Sequence, residues 1–124
     1  MIGITLFEEC IAALKNYSIV EDNKLIDQIL SNLNLTFYGK VDFSKCADSH
    51  EVSLNEIHML SGEKEYYVIW TDAEIPIIKC NIDDILDNID DVLAVSFDTW
   101  LISVDMKRLI EFYHEGDITL GNIL

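Results

Sequence analysis

The chain has 124 residues, half of them hydrophobic, with 23 Asp and Glu against 8 Lys and Arg, a formal net charge of −15. That apolar share excludes a disordered acidic tail, and no window approaches the roughly 20 apolar residues of a membrane-spanning helix. The charge speaks against a nucleic-acid or anionic-membrane binder, because such a field repels phosphate and attracts basic proteins. The length suits one acidic domain over residues 1–124, large enough to bury a core.

The N-terminal third reads as helical. Thr5-Leu6-Phe7-Glu8 has the form of a capping box, and Phe7, Cys10, Ile11, Leu14 and Tyr17 follow at helical spacing. This predicts a helix over residues 6–16. Ser18-Ile19-Val20-Glu21 repeats the capping pattern and predicts a second helix over 21–32, with Leu25, Ile26, Ile29, Leu30 and Leu33 as its apolar stripe. Residues 35–41 form a short apolar and aromatic run with strand character, and 42–52 read as a loop. Ser53-Leu54-Asn55-Glu56 is a third capping box, opening a short helix over 54–60 that Gly62 ends, although Val52 and Leu54 also alternate like a strand.

From Glu65 the pattern changes. Tyr66, Tyr67, Val68, Ile69 and Trp70 are β-branched or aromatic and suit a pleated surface. Residues 71–75 read as a turn, and Pro76, the one proline, opens a second strand over 77–80. Residues 82–91 predict a helix with two distinct faces. Ile82, Ile85, Leu86, Ile89 and Leu93 fall on one side, and Asp83, Asp84, Asp87, Asp90 and Asp91 on the other. The last third reads as a β-meander: an extended segment over 93–97 continuing through 100–104, a turn at 104–107, a strand over 108–113, a hairpin at Glu115-Gly116 and a closing strand over 117–123. Residues 106–113 also fit a helical period. The expected fold is α+β, with N-terminal helices packed on a mostly antiparallel sheet that ends in the meander.

The acidic helix is the leading candidate for an interaction site. Like charges on one helix face repel one another, and Asp is a poorer helix former than Glu. A face selected for solubility alone would mix Glu with Lys. The candidate partner-binding residues are therefore Asp83, Asp84, Asp87, Asp90 and Asp91, extended by Asp72 and Glu74 of the preceding loop. A solvated helix face is the plain alternative.

Catalytic and metal patterns are sparse. Asp83-Asp84-Ile85-Leu86-Asp87 lacks the alternation of a calcium loop. Cys46, His50, His58 and Cys80 do not follow zinc-ligand spacing, so no metal, cofactor or catalytic residue is expected. Cys10, Cys46 and Cys80 are odd in number and widely spaced, which suits reduced thiols. His114-Glu115 reads as part of a turn. Trp70 and Trp100 read as core, with Trp100 an interface anchor only if exposed. The opening residues lack the basic and apolar regions of a signal peptide, and Ile2 stands where myristoylation needs glycine, which points to the cytoplasm.

The C-terminal half carries a likeness to a known family. Tyr66-Tyr67-Val68-Ile69-Trp70, Ile75-Pro76, Asp90-Asp91-Val92-Leu93-Ala94-Val95-Ser96-Phe97-Asp98-Thr99-Trp100, Ile110-Glu111-Phe112-Tyr113-His114-Glu115-Gly116 and Ile118-Thr119-Leu120-Gly121 together resemble small bacterial immunity proteins. These are the antitoxin partners of contact-dependent growth inhibition and related polymorphic toxin systems. The likeness covers about residues 65–123 and rests on overall pattern. It implies a cytoplasmic protein that binds and occludes one cognate toxin domain, and it transfers no catalytic residue. The charge adds that the toxin is basic, as a nuclease must be to hold phosphates. The competing readings are a small metal-dependent hydrolase or nucleotide-handling enzyme using clustered carboxylates, and a regulatory subunit. As a monomer or weak homodimer, the protein would self-associate only through an apolar surface, since the acidic face repels its own copy.

Overall fold

A computed structural model describes residues 2–123, with side chains from Thr5 onward. The elements run α1 (Ile2–Ala13), β1 (Tyr17–Ile19), α2 (Asn23–Leu30), β2 (Asp48–Glu51), α3 (Leu54–His58), β3 (Glu65–Trp70), β4 (Ile78–Asn81), α4 (Ile82–Asp87), α5 (Ile89–Leu93), β5 (Thr99–Ser103), β6 (Arg108–Phe112) and β7 (Ile118–Asn122), with a 3-10 turn at Phe43–Lys45. The strands form one antiparallel sheet in the order β1-β4-β3-β5-β6-β7-β2. The expected α+β architecture and closing β5-β6-β7 meander are present.

The central strands β3, β5 and β6 are buried on both faces, which is why β3 is a continuous apolar run rather than an alternating one. Tyr66, Val68 and Trp70 point to one side, with Ile78, Leu101, Ile110 and Leu120, where α1, α3, α4 and α5 cover them. Tyr67 and Ile69 point to the other side, with Trp100, Ile102 and Leu109, beneath α2 and the chain around Val41. Both tryptophans are buried, so Trp100 is a core residue and not an exposed anchor.

Several local boundaries differ from the sequence reading, each for a stated reason. The first helix begins at Ile2, so Thr5 lies inside it rather than at its start. It ends at Ala13, earlier than expected, because the next free amides, Lys15 and Asn16, donate to the Asp84 carboxylate at 2.8 and 3.2 Å. The chain then turns into β1, taking Tyr17 off the helical stripe. Ser18 lies in that strand, and the cap of α2 is Asp22, whose carboxylate accepts from Lys24 N and Leu25 N. Residues 35–41 are a hairpin loop with a single bridge, Leu35 to Val41, turning at Gly39 with φ of 88°. The stretch 42–52 is not all loop. It holds the 3-10 turn and β2, an exposed polar edge strand recruited by backbone pairing with β7 and without apolar alternation to announce it.

The acidic helix breaks in two. Asn88 Nδ2 donates to the Asp84 carbonyl at 2.9 Å, while Asn88 N turns to the Ile85 carbonyl at 3.2 Å. A side chain competing for the helix ladder is the recognised way Asn interrupts a helix. Residues 93–97 are not extended. Leu93 closes α5, and Val92 and Val95 are both buried, the i, i+3 spacing of a helical turn carried just past the helix end. The Ser53 capping box forms as expected, with Ser53 Oγ accepting from Glu56 N and Glu56 Oε1 accepting from Ser53 N. Residues 108–112 are strand, and Gly116, with φ of 100°, makes the following hairpin turn.

Candidate interaction surface

The side of α4 and α5 that faces away from the sheet carries the predicted carboxylates. Ile82, Ile85, Leu86 and Val92 are buried beneath, while Asp83, Asp87, Asp90 and Asp91 are exposed. Asp83 stands 3.7 Å from His58 Nδ1. The carboxylates of Asp87, Asp90 and Asp91 have no hydrogen bond or salt bridge among the described residues, so their charge is turned to solvent. Asp84 is placed differently. Its Oδ2 receives the Lys15 and Asn16 amides and lies 3.4 Å from Cys80 Sγ, and its Oδ1 accepts from Asn88 Nδ2 at 3.2 Å. It ties the end of α1 to α4, so its charge is largely spent within the fold.

Asp72 and Glu74 sit in the loop between β3 and β4, both exposed. Glu65 pairs with Asn81 at the sheet end where α4 starts, so the 71–77 loop is at the opposite end. The chain of α4 and α5 crosses the sheet toward that loop, as the Trp70 Nε1 bond to the Val92 carbonyl at 2.9 Å shows. Beyond α5 the two loops are stitched together. Thr71 donates from N and Oγ1 to the Asp98 carbonyl, Asp98 N donates to Thr71 Oγ1, and Asp72 N donates to Ser96 Oγ. The loop of Asp72 and Glu74 is thereby fastened to the segment that follows the acidic strip of α4 and α5.

His114 and Glu115 form the expected turn at the same sheet end, and His114 makes contacts there that its sequence position did not announce. Asp98 is buried and accepts from His114 N at 2.7 Å, with His114 Nδ1 at 3.0 Å. His114 packs between Phe97 and Tyr113, and Lys40 Nζ lies 4.5 Å above the Tyr113 ring. Phe37, fully exposed, and Tyr38 meet edge to face at the tip of the 35–41 hairpin. On the sheet face beneath that hairpin is an apolar groove of about 500 Å³ lined by α2, residues 33–35, β3, β5 and the 71–77 loop. Phe37 and Tyr38 belong to the aromatic run read as strand-like in the sequence, and nothing there showed that they stand exposed at a hairpin tip.

Comparison with known proteins decides the family. The model for the CdiI immunity protein EcoliA0-like family matches residues 4–121. The chain belongs to this family of immunity proteins. No curated protein matches it. The match spans the N-terminal half as well as the segment that carried the likeness in sequence.

As a member of this family, the chain binds a cognate toxin. Among the described residues no three His, Cys, Asp or Glu side chains gather in a way that would hold a metal ion. Cys46 precedes β2 and His50 lies on it, while Cys80 is in β4 near the opposite edge of the sheet. Cys10 and Cys80 are buried free thiols, and Cys46 is half-buried. Burial, with a smaller push from Asp91, raises the Cys10 thiol to about 11. Burial and the Asp84 carboxylate raise Cys80 to about 12. Neither is a nucleophile near neutral pH, because the thiolate is the reactive form. No helix among the described residues is long and apolar enough to cross a membrane.

Proposed function

We propose that this immunity protein neutralises its toxin by occlusion, as a binding module without catalytic activity, and that the toxin domain is a basic nuclease. The observation that carries the reading is the strip of exposed carboxylates Asp83, Asp87, Asp90 and Asp91 on α4 and α5, with Asp72 and Glu74 also exposed, on a chain of charge −15. A groove that holds a phosphate backbone must be positive, and a rigid row of carboxylates competes for it. Opposed fields of this kind speed encounter, while close packing sets how long the complex lasts. Asp84 contributes by holding the strip in place. The immunity protein acts in the cytoplasm, where such a toxin meets nucleic acid.

The test is genetic. The toxin domain encoded directly upstream is expressed with and without this chain. Growth arrest with degraded nucleic acid, relieved by the immunity protein, supports the reading. Growth arrest that it relieves while nucleic acid stays intact removes the nuclease assignment. Arrest that it does not relieve removes the pairing itself.

A further inference from the structure

The groove beneath the 35–41 hairpin is not explained by the acidic strip. Leu30 and Leu35 form one wall and retain 44% and 47% of their surface exposed. Ala73 and Pro76 line the other wall, and Ile69 and Trp100 line the sheet side between them. A concave apolar surface of about 500 Å³ has the size of a site that takes an inserted side chain or a small ligand. Its walls are fixed. The hairpin that carries Leu35 is held by Val41 N on Glu111 Oε2 at 2.8 Å, and the 71–77 loop is held by Thr71 on Asp98.

The 71–77 loop is shared by two surfaces. Ala73, Ile75 and Pro76 line the groove, and Asp72 and Glu74, between and beside them, are exposed carboxylates. A ligand entering over this loop meets apolar surface with acid at its rim. That combination suits an apolar side chain flanked by Lys or Arg. It does not suit a second copy of this chain, which would bring its own −15 charge against Asp72 and Glu74.

We propose that this groove is the short-range anchor site for the toxin and receives a Leu-, Met- or Phe-sized side chain flanked by basic residues of the toxin domain. The inference rests on the immunity reading and names where the hold, as opposed to the attraction, resides. Anchors of this kind account for most of the energy of an interface when a fixed pocket receives them.

The test uses surface plasmon resonance with the upstream-encoded toxin domain and the full-length immunity protein. Ala73→Trp fills the groove from an exposed loop position without changing charge, and Leu35→Ser strips one wall. Circular dichroism and thermal melting first establish that each variant is folded. The expected result for Ala73→Trp is a dissociation rate raised about tenfold or more, with the association rate within about twofold of the unaltered protein. Leu35→Ser, folded as the parent, shows the same pattern. An unchanged dissociation rate in the folded Ala73→Trp variant overturns the groove assignment while leaving the immunity reading in place. Absence of binding by the unaltered protein overturns the immunity reading and the toxin as occupant together. A dimer in sedimentation that Ala73→Trp abolishes reassigns the groove to a second copy and overturns the proposal.

Discussion

Trp100 and Glu111 stand directly opposite one another on β5 and β6, and the indole Nε1 donates to Glu111 Oε2 at 3.0 Å inside the sheet. Glu111 is fully buried. Its two oxygens also take Val41 N at 2.8 Å and Lys40 Nζ at 2.9 Å, so one carboxylate fastens the 35–41 hairpin to the sheet. Burying a charge is costly unless it is paired and hydrogen-bonded, and this one has a cation and two further donors. Lys40 is the member nearer solvent, with 28% of its side chain exposed.

Glu111→Ala removes the acceptor for all three groups. Taking one partner from a buried pair costs about 3–5 kcal/mol, and the partial exposure of Lys40 places the expected loss near the lower end. Urea denaturation of the variant against the parent checks this. A change below about 1 kcal/mol, the level of a surface pair, would show that the hairpin does not depend on Glu111.

Neutralising the strip has the opposite effect on stability. Asp83→Asn, Asp87→Asn and Asp90→Asn together relieve like-charge repulsion along α4 and α5, so the melting temperature stays level or rises. The association rate with the toxin falls by about tenfold, and its dependence on salt weakens. Stopped-flow mixing at low and high ionic strength reads both. Unchanged association kinetics place the attraction elsewhere on the surface.

Gly121 is required in β7 by a neighbour rather than by its backbone angles. A Cβ there would stand 2.7 Å from Phe43 Cδ1 and 3.0 Å from Cys46 Sγ, because the 3-10 turn packs directly on the strand. Gly121→Ala forces that ring aside, and overpacking of this kind costs about 1–3 kcal/mol. Thermal melting measures it. A variant as stable as the parent would mean that the 3-10 turn is free to shift.

Alkaline pH destabilises the fold through buried groups. The folded-state thiols of Cys10 and Cys80 lie at about 11 and about 12, against an ordinary 9.0. Burial also raises Tyr66 above its ordinary 10.0, although Arg108 opposes the shift. A group whose folded pKa is raised contributes stability that is whole below the unfolded value and lost as pH climbs toward the folded one. Lys40 acts in the same direction: burial lowers its pKa, but the hydrogen bond and charge of Glu111 outweigh it. Stability therefore falls progressively above about pH 9, as denaturation midpoints taken across pH 7 to about 12 will show. Cys10→Ser and Cys80→Ser together flatten part of that fall.

The chain declared much of this architecture in its own residues. The two faces of residues 82–91 and the apolar run of β3 were legible because helical and pleated surfaces impose their own periods on burial. The Ser53 cap was legible because both halves of its reciprocal bond lie within four residues. What was not legible depends on partners distant in sequence. Asp84 ends α1 from a position 69 residues away, and β2 exists only because β7 offers it an edge. Spacing alone put Asp83, Asp87, Asp90 and Asp91 on the exposed face, but it put Asp84 there too, which the fold turns to the amides of Lys15 and Asn16. The groove could not be read from spacing, because α2, the 35–41 hairpin and the 71–77 loop come together only through the sheet and the Glu111 anchor.

The most direct measurement is calorimetric titration of the upstream-encoded toxin domain with this protein, with toxin activity followed at each addition. Saturation at one immunity protein per toxin, with activity vanishing at the same equivalence point, is the predicted result. Binding that saturates while the toxin remains fully active would contradict occlusion, and no heat or complex at all would contradict the pairing.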